Sequence, residues 1–153
     1  VITPNLPEAG VLLGSRAAET LKEMYRAAEK LRGLMQGDGA RWILLKGGHL
    51  SGSEATDLLY DGDRMIELKA ARVDTRNTHG TGCTLSAALA TLLARAQDIP
   101  QAARLAKSYL TNALAHADEL AVGQGHGPVH HFHALWQSSD GGIPFDPDRA
   151  KRR

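Results

Sequence analysis

An α/β fold with a largely parallel sheet is predicted by three observations. Short apolar runs alternate along the chain with longer stretches of helical periodicity, the pattern of helices laid over a sheet. One run, Arg41-Trp42-Ile43-Leu44-Leu45-Lys46, is apolar throughout its middle, as strands covered on both faces are. Between 55 and 71 two strand-like runs flank Asp61-Gly62-Asp63, which adds an antiparallel hairpin to that sheet.

Taken in order, Val1 to Thr3 is expected to be the tail of a strand, stopped by Pro4 and Pro7. Glu8 to Leu13 has a short helical pattern closed by Gly14. Ser15 is expected to open a long amphipathic helix with Leu21, Met24, Ala28, Leu31 and Met35 on one face, ended by Gly37-Asp38-Gly39. The apolar run over 41–46 predicts a buried strand cut off by Gly47-Gly48. Ala55 to Tyr60 and Met65 to Ala71 are the hairpin strands. Arg72 to Gly82 is loop. Helices are expected over Cys83 to Ala96 and from Pro100, which suits a first helical turn, to about Ala121. Gly123 to Gly127 breaks the last helix, and the remainder is mostly irregular.

The chain has 153 residues, one domain's length, with 42% hydrophobic and 23% charged residues and a formal net charge of +1. That balance excludes a strong field for nucleic acid or membrane surfaces, and Arg149-Ala150-Lys151-Arg152-Arg153 is a short solvated tail. No run approaches the roughly 20 apolar residues of a membrane span. The single cysteine suits a reducing cytosol, and Val1-Ile2-Thr3-Pro4 predicts no secretory leader. Trp42 is expected in the core and Trp136 on the surface. His126, His130, His131 and His133 crowd together, but no cysteine or acidic partner completes a metal set, so they are expected to be a solvated tail.

Three segments are candidates for a phosphate site, which in open α/β sheets lies beyond the carboxyl ends of strands. In Asn77-Thr78-His79-Gly80-Thr81-Gly82-Cys83-Thr84-Leu85-Ser86, two glycines and the only cysteine precede an Ala/Leu-rich helical stretch. Such a helix start presents unpaired backbone N–H groups and the positive end of the macrodipole, which suit a phosphate and favour a thiolate at Cys83. The alternative is a plain glycine-rich helix start with a small buried cysteine. In Lys46-Gly47-Gly48-His49, a lysine at a strand end reaches a phosphate as a point charge while glycines admit a ligand close to the backbone; lysines also flank strands without such a role. In Pro4-Asn5-Leu6-Pro7-Glu8, an amide and a carboxylate three apart on a rigid turn suit water around Mg²⁺, or simply cap a helix. Asp74 and His79 flank the anion loop, where they touch nucleotide or cation or only brace the turn.

Together these segments resemble the C-terminal part of the ribokinase-like kinases, specifically the hydroxymethylpyrimidine/phosphomethylpyrimidine kinases of thiamine biosynthesis. Thr3-Pro4-Asn5-Leu6-Pro7-Glu8-Ala9 is similar to that family's Asn-x-x-Glu motif, and Leu45-Lys46-Gly47-Gly48-His49 to its phosphate-lysine segment. Asp57-Leu58-Leu59-Tyr60-Asp61-Gly62 matches the hairpin that follows, and Asn77 to Ser86 matches the anion-hole loop and helix start. Gly125-His126-Gly127-Pro128-Val129 with His131-Phe132 resembles the C-terminal run, so the likeness covers roughly Val1 to Phe132.

The resemblance implies a three-layer α/β sandwich with a mostly parallel sheet, of which residues 1–135 are the C-terminal part and 136–153 an irregular tail. It implies ATP-dependent phosphorylation of 4-amino-5-hydroxymethyl-2-methylpyrimidine and then its monophosphate. Asn5 and Glu8 would order Mg²⁺ and its waters, and Lys46, Thr78, Gly80 and Gly82 would hold ATP. The N–H groups of Gly80, Thr81, Gly82 and Cys83 would hold the transferring phosphoryl charge, with Cys83 accepting the hydroxyl proton. It further implies a cytoplasmic enzyme, homodimeric when complete, whose N-terminal half, with the residues that grip the pyrimidine, is absent here. A chain nicked by proteolysis, an incomplete piece and a natural remnant are all open, and a separate N-terminal fragment is among the partners this allows.

Cys83 stands where most ribokinase-like enzymes carry Asp, and Asn77 where they often carry another; cysteine there is the pattern of the pyrimidine kinases and of a related pyridoxal kinase branch. His130 replaces an expected asparagine, and the tail after Phe132 has no counterpart. The rivals are a pyridoxal kinase of the Cys-bearing branch and a non-catalytic remnant that only binds nucleotide.

Overall fold

The computed structural model describes residues 1–95 and 98–136; of the expected 136–153 tail, all but Trp136 lies outside the described residues. The elements are α1 (Leu6–Leu13), α2 (Leu21–Leu34), β1 (Ile43–Leu45), β2 (Asp57–Tyr60), β3 (Met65–Leu68), α3 (Thr81–Ala94) and α4 (Ile99–Ala115), followed by a 3₁₀ turn at Ala117–Glu119.

The expectation of a mostly parallel sheet is corrected. β1, β2 and β3 form an antiparallel sheet in that order, with Leu44 opposite Leu59 and Leu59 opposite Ile66. The reason lies in the connections. A parallel crossover takes a dozen or more residues, usually with a helix, whereas residues 46–56 between β1 and β2 contain none, and β2 turns into β3 through Asp61 to Arg64. Among the described residues parallel pairing occurs as isolated bridges, of Ile2 with Ile43 and Asn5 with Lys46, the two runs being joined through α1 and α2, and of His79 with Pro128. Leu44 N–H donates to Ile2 O at 2.9 Å and Lys46 N–H to Pro4 O at 2.9 Å, so residues 2–5 run alongside β1 as an extended rail.

The strand period of two sends successive side chains to opposite faces. Ile43, Leu45 and Leu58 face Leu6 and Ala9 of α1 and Met24, Ala28 and Leu31 of α2. Leu44, Leu59 and Leu68 face Leu85 and Leu89 of α3 and Ala102, Ala103 and Ala106 of α4, with Trp42 buried among them. Helices therefore cover both faces of the sheet, in three layers. Trp136 is 48% exposed, as expected. Among the described residues no helix is long and apolar enough to cross a membrane.

Helix ends depart from expectation where side-chain chemistry outweighs periodicity. α2 begins at Leu21, not Ser15, because Thr20 and Glu23 form a reciprocal capping box. Residues 15–17 instead fold back on Gly10, where a Cβ would meet Ser15 O at 2.9 Å. α1 ends at Gly14 in the left-handed conformation, φ 61°. α4 stops at Ala115, short of the expected Ala121. His130 is buried rather than solvated, its N–H donating to Ala113 O at 2.9 Å.

Tyr25 of α2 donates its hydroxyl to Glu67 of β3, a tie between layers. That bond, with Lys69 beside it, holds the Glu67 carboxyl below the usual carboxylate range; the same bond pushes the Tyr25 phenol up. A depressed carboxylate contributes stability above its unfolded pKa and loses it as pH falls through the folded one; the raised phenol contributes below its unfolded pKa and loses it as pH rises. Tyr25→Phe should therefore lower Tm at neutral pH, with the deficit shrinking in acid, as thermal denaturation across the carboxylate range would measure.

Candidate functional site

A cavity of about 430 Å³ opens beyond the carboxyl end of β1. All three segments singled out in the sequence reach it: Asn5 and Glu8, then Lys46, then Thr78, Thr81 and Gly82. Lys46 follows β1 directly, and its Nζ lies 3.3 Å from where a Cβ on Gly82 would stand. The ammonium is thus set against the N-terminus of α3, and a side chain at 82 would crowd it.

The start of α3 is built to leave donors free. Gly80 is its N-cap, at φ 81°, a left-handed conformation that favours glycine, and no side chain caps the helix. The first intrahelical bond runs from Thr84 N–H to Gly80 O at 2.8 Å, so the N–H groups of Gly82 and Cys83 precede the ladder. Cys83 is exposed at the third helical position, beside the cavity; neither it nor Gly80 is among the cavity's lining residues. The Thr3 and Ser86 hydroxyls are 2.8 Å apart, and Ser86 Oγ donates to Gly82 O at 3.0 Å, which fixes this helix end against the rail.

Asn77 acts as a bracket for the loop. Its Oδ1 accepts Gly127 N–H at 3.0 Å, and its Nδ2 donates to Ala117 O at 3.1 Å and Asp118 Oδ1 at 2.9 Å. His79 N–H donates to Gly127 O at 3.1 Å. A Cβ at 127 would lie 2.3 Å from Asn77 Oδ1, so a side chain there would push the Asn77 bracket aside.

Asn5 and Glu8 form the capping box of α1: Glu8 N–H donates to Asn5 Oδ1 at 2.8 Å and Asn5 N–H to Glu8 Oε2 at 2.7 Å. The cap and the cavity lining coexist: Glu8 caps α1 through Oε2 and also lines the cavity. No three His, Cys, Asp or Glu side chains gather into a metal site among the described residues. A cation at Glu8 would take its other ligands from water and phosphate, which is the habit of Mg²⁺ and fits this donor set.

Sequence reasoning missed three charged residues of the cavity. Asp57 and Lys107 form a buried ion pair, Nζ to Oδ2 2.7 Å, with side chains 5% and 10% exposed. Lys107 Nζ also donates to Ala55 O at 2.9 Å, and Asp57 Oδ1 accepts Gly47 N–H at 2.9 Å. The residue after Lys46 is thereby tied to α4. A Cβ at 47 would stand 1.9 Å from Thr56 O, so only glycine fits. The available signal was a lysine on the apolar face of α4, four residues after buried Ala103. The third residue, Arg72, binds main-chain carbonyls, which leave no mark in a sequence.

Helices on both faces of a sheet, with a lysine beyond one strand set against an open helix N-terminus, make this an α/β protein, and its likeness to solved kinases puts it in the ribokinase-like class. The fold matches that of Bacillus subtilis pyridoxal kinase in its ADP complex with a TM-score of 0.79 and 36% identity, covering 88% of this chain and 49% of that one. The chain belongs to the phosphomethylpyrimidine kinase family, whose model matches residues 1–130. The hydroxymethylpyrimidine/phosphomethylpyrimidine kinase of Rhizobium meliloti is 51% identical over 137 residues, 90% of this chain and 50% of the relative. That of Escherichia coli is 50% identical over 136 residues, 89% of this chain and 50% of the relative. The chain thus spans about half the length of these relatives.

Proposed function

We propose that residues 1–135 are the C-terminal part of one ribokinase-like kinase domain, and that this part carries the nucleotide, metal-water and base machinery. The complete enzyme phosphorylates 4-amino-5-hydroxymethyl-2-methylpyrimidine and its monophosphate with ATP, as a cytoplasmic homodimer. The observation that carries this reading is the convergence of Lys46, Glu8 and Gly82 on one cavity at the N-terminus of α3. The relatives' 51% and 50% identity supports the pyrimidine as substrate.

In this reading Lys46 neutralises the phosphate chain and Thr78 flanks it. The N–H groups of Gly80, Thr81, Gly82 and Cys83 hold charge on the transferring phosphoryl group, where most of the catalytic effect in phosphoryl transfer arises. Cys83 takes the hydroxyl proton from its exposed position beside the cavity. Asn5 and Glu8 order the waters of Mg²⁺, which when bound would offset phosphate charge. The pyrimidine is gripped by the half of the domain that this chain does not cover.

A second reading, pyridoxal phosphorylation, is favoured by the likeness to the Bacillus subtilis pyridoxal kinase. The test is two chimaeras, with this chain fused behind the N-terminal half of the Rhizobium meliloti relative or of the Bacillus subtilis pyridoxal kinase. ATP turnover with hydroxymethylpyrimidine is expected from the first, and none from the chain alone. Turnover only in the second, with pyridoxal, would favour the second reading. Full hydroxymethylpyrimidine turnover by the chain alone would show that the substrate site lies within it.

A further inference from the structure

Arg72, whose side chain has no role in the proposed chemistry, sits at the centre of the loop that follows Lys46. Its guanidinium donates to carbonyls of that one loop: Nε to Gly52 O at 2.8 Å, Nη1 to Gly48 O at 2.8 Å, and Nη2 to Leu50 O and, at 3.4 Å, to Glu54 O. The acceptors fall at every second residue, so 48–54 is wound around a single cation. The main chain of Arg72 adds a bond from its N–H to Ser53 O at 2.8 Å. Arg72, Gly48 and His49 all line the cavity that Lys46 and Glu8 reach.

This arrangement needs arginine. A guanidinium offers five N–H donors in a fixed planar fork and is always charged; an ammonium offers three on a flexible stem. The loop it binds, Gly48-His49-Leu50-Ser51-Gly52-Ser53-Glu54, contains two glycines and two serines and no helix or strand. Such a segment has much conformational freedom to lose when a ligand orders it. Ordering it beforehand removes that loss from the binding step. Carbonyls turned onto a cation also cannot turn their negative ends toward a phosphate.

We infer that Arg72 is a positioning residue that winds loop 48–54 into its ligand-ready form, and so sets the affinity of the cavity for a nucleoside triphosphate. The affinity role rests on the nucleotide reading of the cavity; the winding does not.

The test compares the unsubstituted chain, Arg72→Lys and Arg72→Ala by hydrogen exchange without nucleotide, and by calorimetric titration with ATP. In both variants exchange of the Leu50 and residue-72 N–H groups, bonded to Gly47 O and Ser53 O, should quicken, and ATP binding weaken, each by about tenfold, while exchange in β1, β2 and α3 stays unchanged. Millimolar guanidinium should restore part of both in Arg72→Ala, and lysine should not substitute for it. Lost ATP binding with unchanged exchange in the loop would make Arg72 a direct ligand contact and overturn the inference. So would quickened loop exchange with ATP affinity unaltered, or general exchange throughout the chain that guanidinium does not reverse. Failure of the unsubstituted chain to bind ATP would overturn the affinity role along with the nucleotide reading, and exchange alone would then decide the winding.

Discussion

Cys83→Ala in the complete enzyme is expected to lower kcat by about 100- to 10,000-fold, the range over which a positioned general base acts. Nucleotide affinity should be almost unchanged, because Cys83 is exposed beside the cavity and does not line it. The split between kcat and affinity is what separates a proton acceptor from a phosphate ligand. Cys83→Asp should keep part of the activity, since a carboxylate at that helix position is also a base. Steady-state turnover and calorimetric titration with ATP would measure both. Near-normal turnover in Cys83→Ala would send the proton elsewhere, with His79 or Asp74 next in line.

The largest expected effect on stability is at Asp57. Removing it strands the buried Lys107 ammonium with only Ala55 O as acceptor and leaves Gly47 N–H unpaired. Breaking one side of a buried ion pair typically destabilises by about 3–5 kcal/mol. Asp57→Ala should approach that range in urea denaturation. The double variant Asp57→Leu, Lys107→Met should recover much of the loss, since an apolar pair of similar volume is often neutral. Nucleotide affinity should remain impaired in it, because Gly47 still lacks its acceptor. A loss below about 1 kcal/mol for Asp57→Ala would show that the pair is as weak as one at the surface.

How much of this was legible in the sequence depended on where each signal is carried. Asn5, Glu8, Lys46, Thr78 and Gly82 meet in one cavity, and each belonged to a short segment whose chemistry shows in its own letters. Asp57 and Lys107 stand 50 residues apart, and neither is unusual until the fold pairs them. Arg72 works through carbonyls, which every residue possesses. The sheet's direction was misread because apolar letters mark a strand without giving its sense. The clue was in the connection, since residues 46–56 without a helix suit an antiparallel return. The start of α2 was misplaced by following apolar spacing upstream past Thr20-x-x-Glu23, although that pattern is itself a start signal.

The rail at residues 2–5 bears on how the chain is made. Ile2, Pro4 and Asn5 pair with residues 42–46, and Thr3 bonds to a serine 83 positions further on. At about 5–20 residues per second, a ribosome needs several seconds to supply that last partner. For that interval α1 and α2 can form and pack locally, while the rail that will hold the N-terminus of α3 waits without its hydroxyl latch. The backbone partners of the rail in 42–46 are supplied well before its hydroxyl partner, so a pause in translation between β1 and α3 would prolong the time it is held by backbone bonds alone.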